Sequence, residues 1–395
     1  MKKYTVSVAG FAVLDTLYAG IDSMSEGYQK FLSRQNGDGG LKTGQLTFAG
    51  DLEQFAKIPL REILTAISGG RPCSGQNLGG PAIVGAINAA QILFDQNISL
   101  RFFGRSGNDP EAELIRTILA GLPVDCSGYL PARGHTPATF VLSDPKAHDG
   151  KGERTFISDV GVGSQAESGE LPPCFFDADV AWFGGTALVP SLHQKLTQHL
   201  KTAKKQGMYT IVNTIFDFIS KKENPSAPWK LGDGPQSYQY IDLLLMGKDE
   251  ACHLSGKESF AEIGAYFSAS GVSVYVITHG AKEFYIWSDG RIFEKLPLTS
   301  FKVSELIDRE LSDRPQLRGD TTGCGDNFAG GFAASFIRQL HEGKTSKLSI
   351  LDAAAWAAAS GGFACFTLGG TYIEKEPGEK YRALKRYRDA WLEQQ

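Results

Sequence analysis

From about residue 177 onward, short apolar runs alternate with amphipathic stretches. Val180-Ala181-Trp182-Phe183-Gly184 reads as a strand, and Leu192, Leu196 and Leu200 follow at the four-residue spacing of one helix face. The apolar runs recur at 209–212, 241–246 and 272–278. Such runs are strands buried on both faces, and helices between them supply the cover, so the pattern predicts a parallel sheet between two helical layers. Residues 326–340 and 352–359 predict two more helices, the first carrying Phe328, Phe332, Phe336 and Leu340 as a core stripe.

Two regions break this rhythm. Residues 19–70 are polar and punctuated by glycine, as in Gly37-Asp38-Gly39-Gly40, and hold no long periodic helix. Residues 136–160 alternate instead: Thr139-Phe140-Val141-Leu142, a polar turn around His148-Asp149-Gly150, then Arg154-Thr155-Phe156-Ile157. That is a hairpin pattern. A small β element projecting from an α/β body is placed to act as a lid, because such sheets bind ligands at their carboxyl edges. The expected division is an α/β core from 1–15, 71–97 and 164–395, with the lid and substrate-side segments in 16–70 and 98–163. The Val6/Val8 alternation, closed by Asp15, reads as a first strand rather than a secretory leader.

Charge narrows the function. With 40 basic and 44 acidic residues in 395, the net charge is −4, which speaks against a nucleic-acid surface. The six cysteines, Cys73, Cys126, Cys174, Cys252, Cys324 and Cys365, have no zinc spacing and build no disulfide framework. A reducing, cytoplasmic compartment is expected, and no run reaches membrane-spanning length.

The most informative segment is Gly319-Asp320-Thr321-Thr322-Gly323-Cys324-Gly325-Asp326-Asn327-Phe328. Its glycines bracket the start of a helix, where unsatisfied N–H groups and the positive end of the dipole attract anions, phosphate above all. Asp326 beside such a site has two readings: an acid that favours the helix dipole, or a general base next to a transferring phosphoryl group. Gly161-Val162-Gly163-Ser164-Gln165-Ala166 fits a dinucleotide fingerprint but follows the hairpin and has no acidic ribose partner. Gly343-Lys344-Thr345 lacks the upstream glycine of a P-loop, position 338 being Arg. Cys324, at a helix start, sits where thiols are often reactive, yet no His lies nearby in sequence to make it a nucleophile.

The D-T-x-G-x-G-D of 320–326, running into Asn327-Phe328-Ala329-Gly330-Gly331, closely resembles the C-terminal signature of the ribokinase-like (PfkB) carbohydrate kinases. Gly10 with Asp15, Gly79-Gly80, Phe103-Gly104-Arg105-Ser106-Gly107-Asn108-Asp109, Gly152-Glu153-Arg154-Thr155, Met246-Gly247-Lys248-Asp249-Glu250 and Thr278-His279-Gly280 resemble further family segments in family order. The resemblance implies a three-layer α/β sandwich with a central, mainly parallel sheet and a small β lid. It implies ATP-dependent phosphorylation of a hydroxyl on a sugar or sugar-like molecule, with Asp326 as base and Gly323, Cys324 and Gly325 as the anion hole. It assigns Asp15, Gly79, Gly80 and Glu153 to the substrate, and Thr278, Gly280, Thr322, Gly323 and Gly325 to the nucleotide. Glu250 is assigned to Mg²⁺ through water, and Asp320 with Thr322 to a monovalent cation such as K⁺. A nucleoside kinase of the same superfamily and a non-catalytic sugar-binding relative are the alternatives. The partner expected is a small-molecule sugar or nucleoside, with no nucleic acid and no membrane, and a homodimer through the lid is a further expectation. Three departures stand out: Val84 and Gly247 replace family asparagines, and Asn213-Thr214-Ile215 replaces the family's D-P-N.

Overall fold

The computed structural model describes residues 3–35, 37–147, 153–319, 321–343 and 347–395. The nine-stranded sheet runs β14 (Leu296–Lys302), β13 (Glu283–Ser288), β12 (Val274–Thr278), β11 (Leu243–Gly247), β10 (Tyr209–Asn213), β9 (Val180–Gly184), β1 (Tyr4–Gly10), β5 (Ile98–Ser106), β6 (Asp125–Pro131). Pairing is parallel from β6 through β12 and antiparallel across β12, β13 and β14. Strand β9 shows why both faces must be covered: Val180 and Trp182 enter one apolar cluster while Ala181 and Phe183 enter the other. Both helices expected near the C-terminus are present, as Cys324–His341 and Ile350–Phe363.

The second sheet has five strands in the order β3 (Leu46–Phe48), β8 (Glu153–Asp159), β7 (Ala138–Asp144), β2 (Val13–Tyr18), β4 (Gly75–Gly79). Strands β7 and β8 pair antiparallel from Ala138↔Asp159 to Asp144↔Glu153, as the alternation predicts. The turn expected around His148 lies outside the described residues. The boundaries differ from those read in sequence. Strands β5 and β6, within 98–163, belong to the large sheet, because β5 continues the parallel ladder of β1 with Val8 opposite Phe102. Strand β4, within 71–97, belongs to the lid sheet, where it pairs antiparallel with β2.

The described residues of the polar stretch 19–70 include strand β3 and three short helices, α1 (Glu26–Gln29), α2 (Ala49–Ala56) and α3 (Leu60–Ser68). Their Tyr28, Leu52, Ile63 and Ile67 bury against Leu142 of β7 and Ile157 of β8, giving the lid a core of its own. That lid face is therefore roofed by helices, and a dimer formed there would meet helices rather than an open sheet.

Helix α4 (Pro81–Ile92) and the helix of Cys324–His341 cross at glycines. A Cβ on Gly330 would stand 2.5 Å from the Gly85 carbonyl oxygen, and one on Gly331 2.4 Å from the Trp356 carbonyl oxygen. Two adjacent glycines thus let one helix pack closely on two neighbours. Asn88 fixes the crossing by donating from Nδ2 to the Asn327 carbonyl at 2.9 Å. The crossing brings the N-termini of both helices to one end of the molecule. Gly330→Ala is expected to cost about 1–3 kcal/mol through overpacking. Denaturant unfolding of this variant should show a lower midpoint, and a midpoint equal to the parent's would refute the close crossing.

Candidate functional site

Continuing in chain order, α5 is Pro110–Ala120, α6 Pro190–Lys205, α7 Phe218–Glu223, α8 Lys248–Ser255, α9 Phe260–Ala269, α10 Glu305–Asp313, α11 Cys324–His341, α12 Ile350–Phe363 and α13 Glu379–Glu393. Gly323 caps α11 with φ 74, and a Cβ there would meet Gly370 Cα at 2.5 Å. Conformation and crowding both demand glycine. Gly325 differs: its Cβ would meet nothing within 4 Å, so the first turn of α11 opens onto free space. The Cys324 amide makes a turn contact to the Thr321 carbonyl at 3.3 Å. The next amides carry the exposed end of the dipole.

Asn327 holds this turn in place. Its Nδ2 donates to the carbonyls of Gly323 (2.9 Å) and Gly370 (2.8 Å), and its Oδ1 accepts from Lys380 Nζ at 2.9 Å. Lys380 is fully buried, and burial lowers its ammonium pKa to about 7. Neither residue's role is visible from sequence, since Lys380 arrives from α13, 53 positions away.

Asp326 follows in the first turn of α11. Loss of hydration, with the nearby Glu250 carboxylate adding repulsion, raises its pKa to about 7. Glu250 itself is raised by burial, while the Gly247 amide and Thr214 hydroxyl pull the other way. Both of those groups donate to its Oε2, Thr214 at 3.1 Å, so Glu250 also caps α8. Asn213 is committed elsewhere: it is buried and accepts from Trp182 Nε1 at 2.7 Å.

Asp15, on β2, is buried and lies against β4. A Cβ at Gly79 would stand 2.1 Å from its Oδ2, so glycine makes room for the carboxylate. Gly80 caps α4 with φ 110, and its Cβ would meet the Phe11 carbonyl oxygen at 2.3 Å. Asp15, Gly79 and Gly80 therefore form one cluster at the start of α4.

Glu153 is not brought to these residues. Strand alternation turns it toward Gly44, whose Cβ would stand 2.9 Å from Glu153 Oε2, on the face whose Thr155 binds Tyr28. Arg154 points the other way, from the lid to the α11 loop. It donates to the Thr322 hydroxyl at 2.6 Å and to the Thr321 hydroxyl. Period-two alternation along the strand puts Glu153 and Arg154 on opposite faces. Thr322 is engaged by the Arg154 guanidinium, and Asp320, the other residue assigned to K⁺, lies outside the described residues. Among the described residues no group of three His, Cys, Asp or Glu side chains could hold a metal.

A cavity of 420 Å³ lies beside the α11 N-terminus. Thr278, Gly280 and Ala281 line one wall, Ile307 and Leu311 of α10 another, and Thr321, Cys324, Gly325 and Phe328 the side next to the first turn of α11. Mostly apolar walls leading to exposed helix amides suit a flat heteroaromatic group joined to phosphates. Sequence reading found Thr278, Gly280 and Gly325 but not α10, which lies in 302–318.

Among the described residues no helix is long and apolar enough to cross a membrane. The chain is similar in structure to adenosine kinase from Schistosoma mansoni in complex with 2-fluoroadenosine, with TM-score 0.68 and 16% identity over 95% of this chain and 98% of that one. It is also similar to ribokinase from Thermotoga maritima (TM-score 0.60, 18% identity, 98% and 99% covered). Arabidopsis thaliana ribokinase complexed with ribose and ATP gives TM-score 0.62 and 18% identity, again over 98% and 99%. These likenesses make the fold ribokinase-like, lid included. The family model for pfkB family carbohydrate kinases matches residues 75–376, three quarters of the sequence. The chain therefore belongs to the pfkB family of carbohydrate kinases and is a phosphotransferase.

Proposed function

We propose that the protein transfers the terminal phosphoryl group of ATP to a hydroxyl of a sugar or nucleoside. The observation that carries this reading is Asp326: a carboxylate raised to about 7 in the first turn of a helix whose amides face open space. A base near neutrality combines ready deprotonation with enough basicity to draw a proton from an alcohol. The α11 amides and the Arg154 guanidinium supply positive charge where the transferring group becomes most anionic. Asp15, Gly79 and Gly80 hold the acceptor, and the cavity bounded by Thr278, Gly280 and α10 holds the nucleoside part of ATP.

Glu250 and Asp326 repel one another, as the shift of Asp326 shows, and one or two carboxylates with phosphate oxygens and waters are a common Mg²⁺ donor set. The residues fit the ion, with Glu250 holding it through water. Bound there, Mg²⁺ would offset phosphate charge. The named neighbours leave the acceptor as either class, since adenosine kinase and ribokinase share this fold with the chain.

The test is ATP consumption with product identification across sugars, sugar acids, inositols and nucleosides. Phosphorylation of a sugar or nucleoside hydroxyl is expected, and ATP binding without transfer to any acceptor would sink the reading. Within the site, Asp15→Ala is expected to raise KM for the acceptor by about tenfold to a hundredfold and KM for ATP far less, because charged hydrogen bonds contribute about 1.5–3 kcal/mol each. Equal rises in both constants would remove Asp15 from the acceptor site.

A further inference from the structure

Two thiols flank the nucleotide cavity at its phosphate end. Cys324 opens α11, and Cys365 lies on the short turn after α12, 41 positions later. Their sulfurs are 3.4 Å apart, both side chains are partly exposed, and neither is in a disulfide. The surrounding backbone is tightly stitched. The Gly319 amide donates to the Cys365 carbonyl at 2.8 Å, and a Cβ at Gly319 would stand 2.0 Å from the Thr367 carbonyl oxygen. The loop that leads into the anion site is thus already docked on the segment that carries Cys365. A disulfide would bring the sulfurs to about 2.05 Å.

We propose that Cys324 and Cys365 are a reversible oxidation site, where a peroxide makes an intramolecular disulfide that blocks the nucleotide cavity. One thiol attacks the peroxide, the O–O bond breaks, and a sulfenic acid and an alcohol or water leave that step. The second thiol attacks that sulfur, the S–S bond forms and water departs. Two sulfurs each lose one electron, the peroxide gains two, and both thiol protons end in the released water and alcohol. A neighbour at 3.4 Å traps the sulfenic acid before it is oxidised further, which keeps the modification reducible by a dithiol. The link would fasten the first residue of α11 across the cavity wall and stop the loop from adjusting to phosphate.

The effect on activity rests on the cavity being the nucleotide site, whereas the cross-link does not, so the test reads them separately. The intact protein is treated with limiting hydrogen peroxide, alkylated and digested, alongside a dithiothreitol-treated control. The expected product is a peptide pair joined through Cys324 and Cys365, lost on reduction. Peroxide that oxidises the exposed Cys73 and Cys174 without yielding that pair would overturn the site. Oxidation is expected to weaken ATP binding by at least about tenfold, with recovery on reduction. A mapped disulfide with unchanged ATP affinity would overturn the blockade. Cys365→Ser and Cys365→Ala, each compared with its own reduced form, should lose the peroxide response, and a retained response in both would assign it to other thiols. If reduced protein binds no ATP while the cross-link still maps, the kinase reading fails and the oxidation site stands.

Discussion

Asp326→Asn is expected to lower kcat by roughly two to four orders of magnitude and to leave ATP affinity within about threefold. Asparagine keeps the shape and the hydrogen-bonding reach of the side chain but cannot take a proton. The α11 amides, Gly323 at φ 74 and the Asn327 bonds to Gly323 and Gly370 remain, so the phosphate end of the site should persist. Steady-state kinetics with a separate nucleotide titration check this. The competing role is an acid that only favours the helix dipole, worth about 0.3–1 kcal/mol of stability. In that case the variant would lose a little stability and keep its turnover. A carboxylate kept near 7 is poorly suited to such a role, because much of its charge is absent at neutral pH.

Arg154→Ala is expected to reduce kcat by about a hundredfold to a thousandfold, the range for removing one group that stabilises transition-state charge. Its guanidinium is the lid's contact with the loop that opens the anion site, through the Thr321 and Thr322 hydroxyls. Arg154→Lys should recover a fraction of the loss, since one ammonium cannot span two hydroxyls as a planar fork does. A residue that merely tethers the lid would show the opposite split, with KM values raised and kcat retained. That split would remove Arg154 from the phosphoryl site.

The period-two and four-residue patterns carried the large sheet, the lid hairpin and α11, because in these elements one face or both are buried by local rule. The segment 319–328 stood out because its glycines and its acid at a helix start are a signal local in sequence. Long-range pairing was not legible. Whether 98–106 joined the lid or the large sheet is decided by its ladder with β1, and nothing in Ile98–Ser106 itself names that partner. Lys380 under Asn327, Cys365 against Cys324 and α10 beside the cavity share this property. Each is brought in by packing between elements far apart in sequence. Glu153, given to the substrate by resemblance, lies instead against Gly44, on the strand face whose Thr155 binds Tyr28, and that placement is not readable from residues 153–159 alone.

The most direct measurement on the catalytic base is the pH dependence of kcat/KM for the acceptor, with ATP saturating. Asp326 must be ionised to take a proton, and its carboxyl is raised to about 7 by lost hydration and by Glu250. Below that pH the active fraction falls tenfold per unit, so the profile should rise with unit slope and level off at about 7. Bound nucleotide adds negative charge, which moves the break upward, and Mg²⁺ held beside Glu250 would move it downward. A profile that is flat between about pH 5 and about pH 8 would show that no base with this raised ionisation takes part in the transfer, and Asp326 would lose its place as the catalytic base.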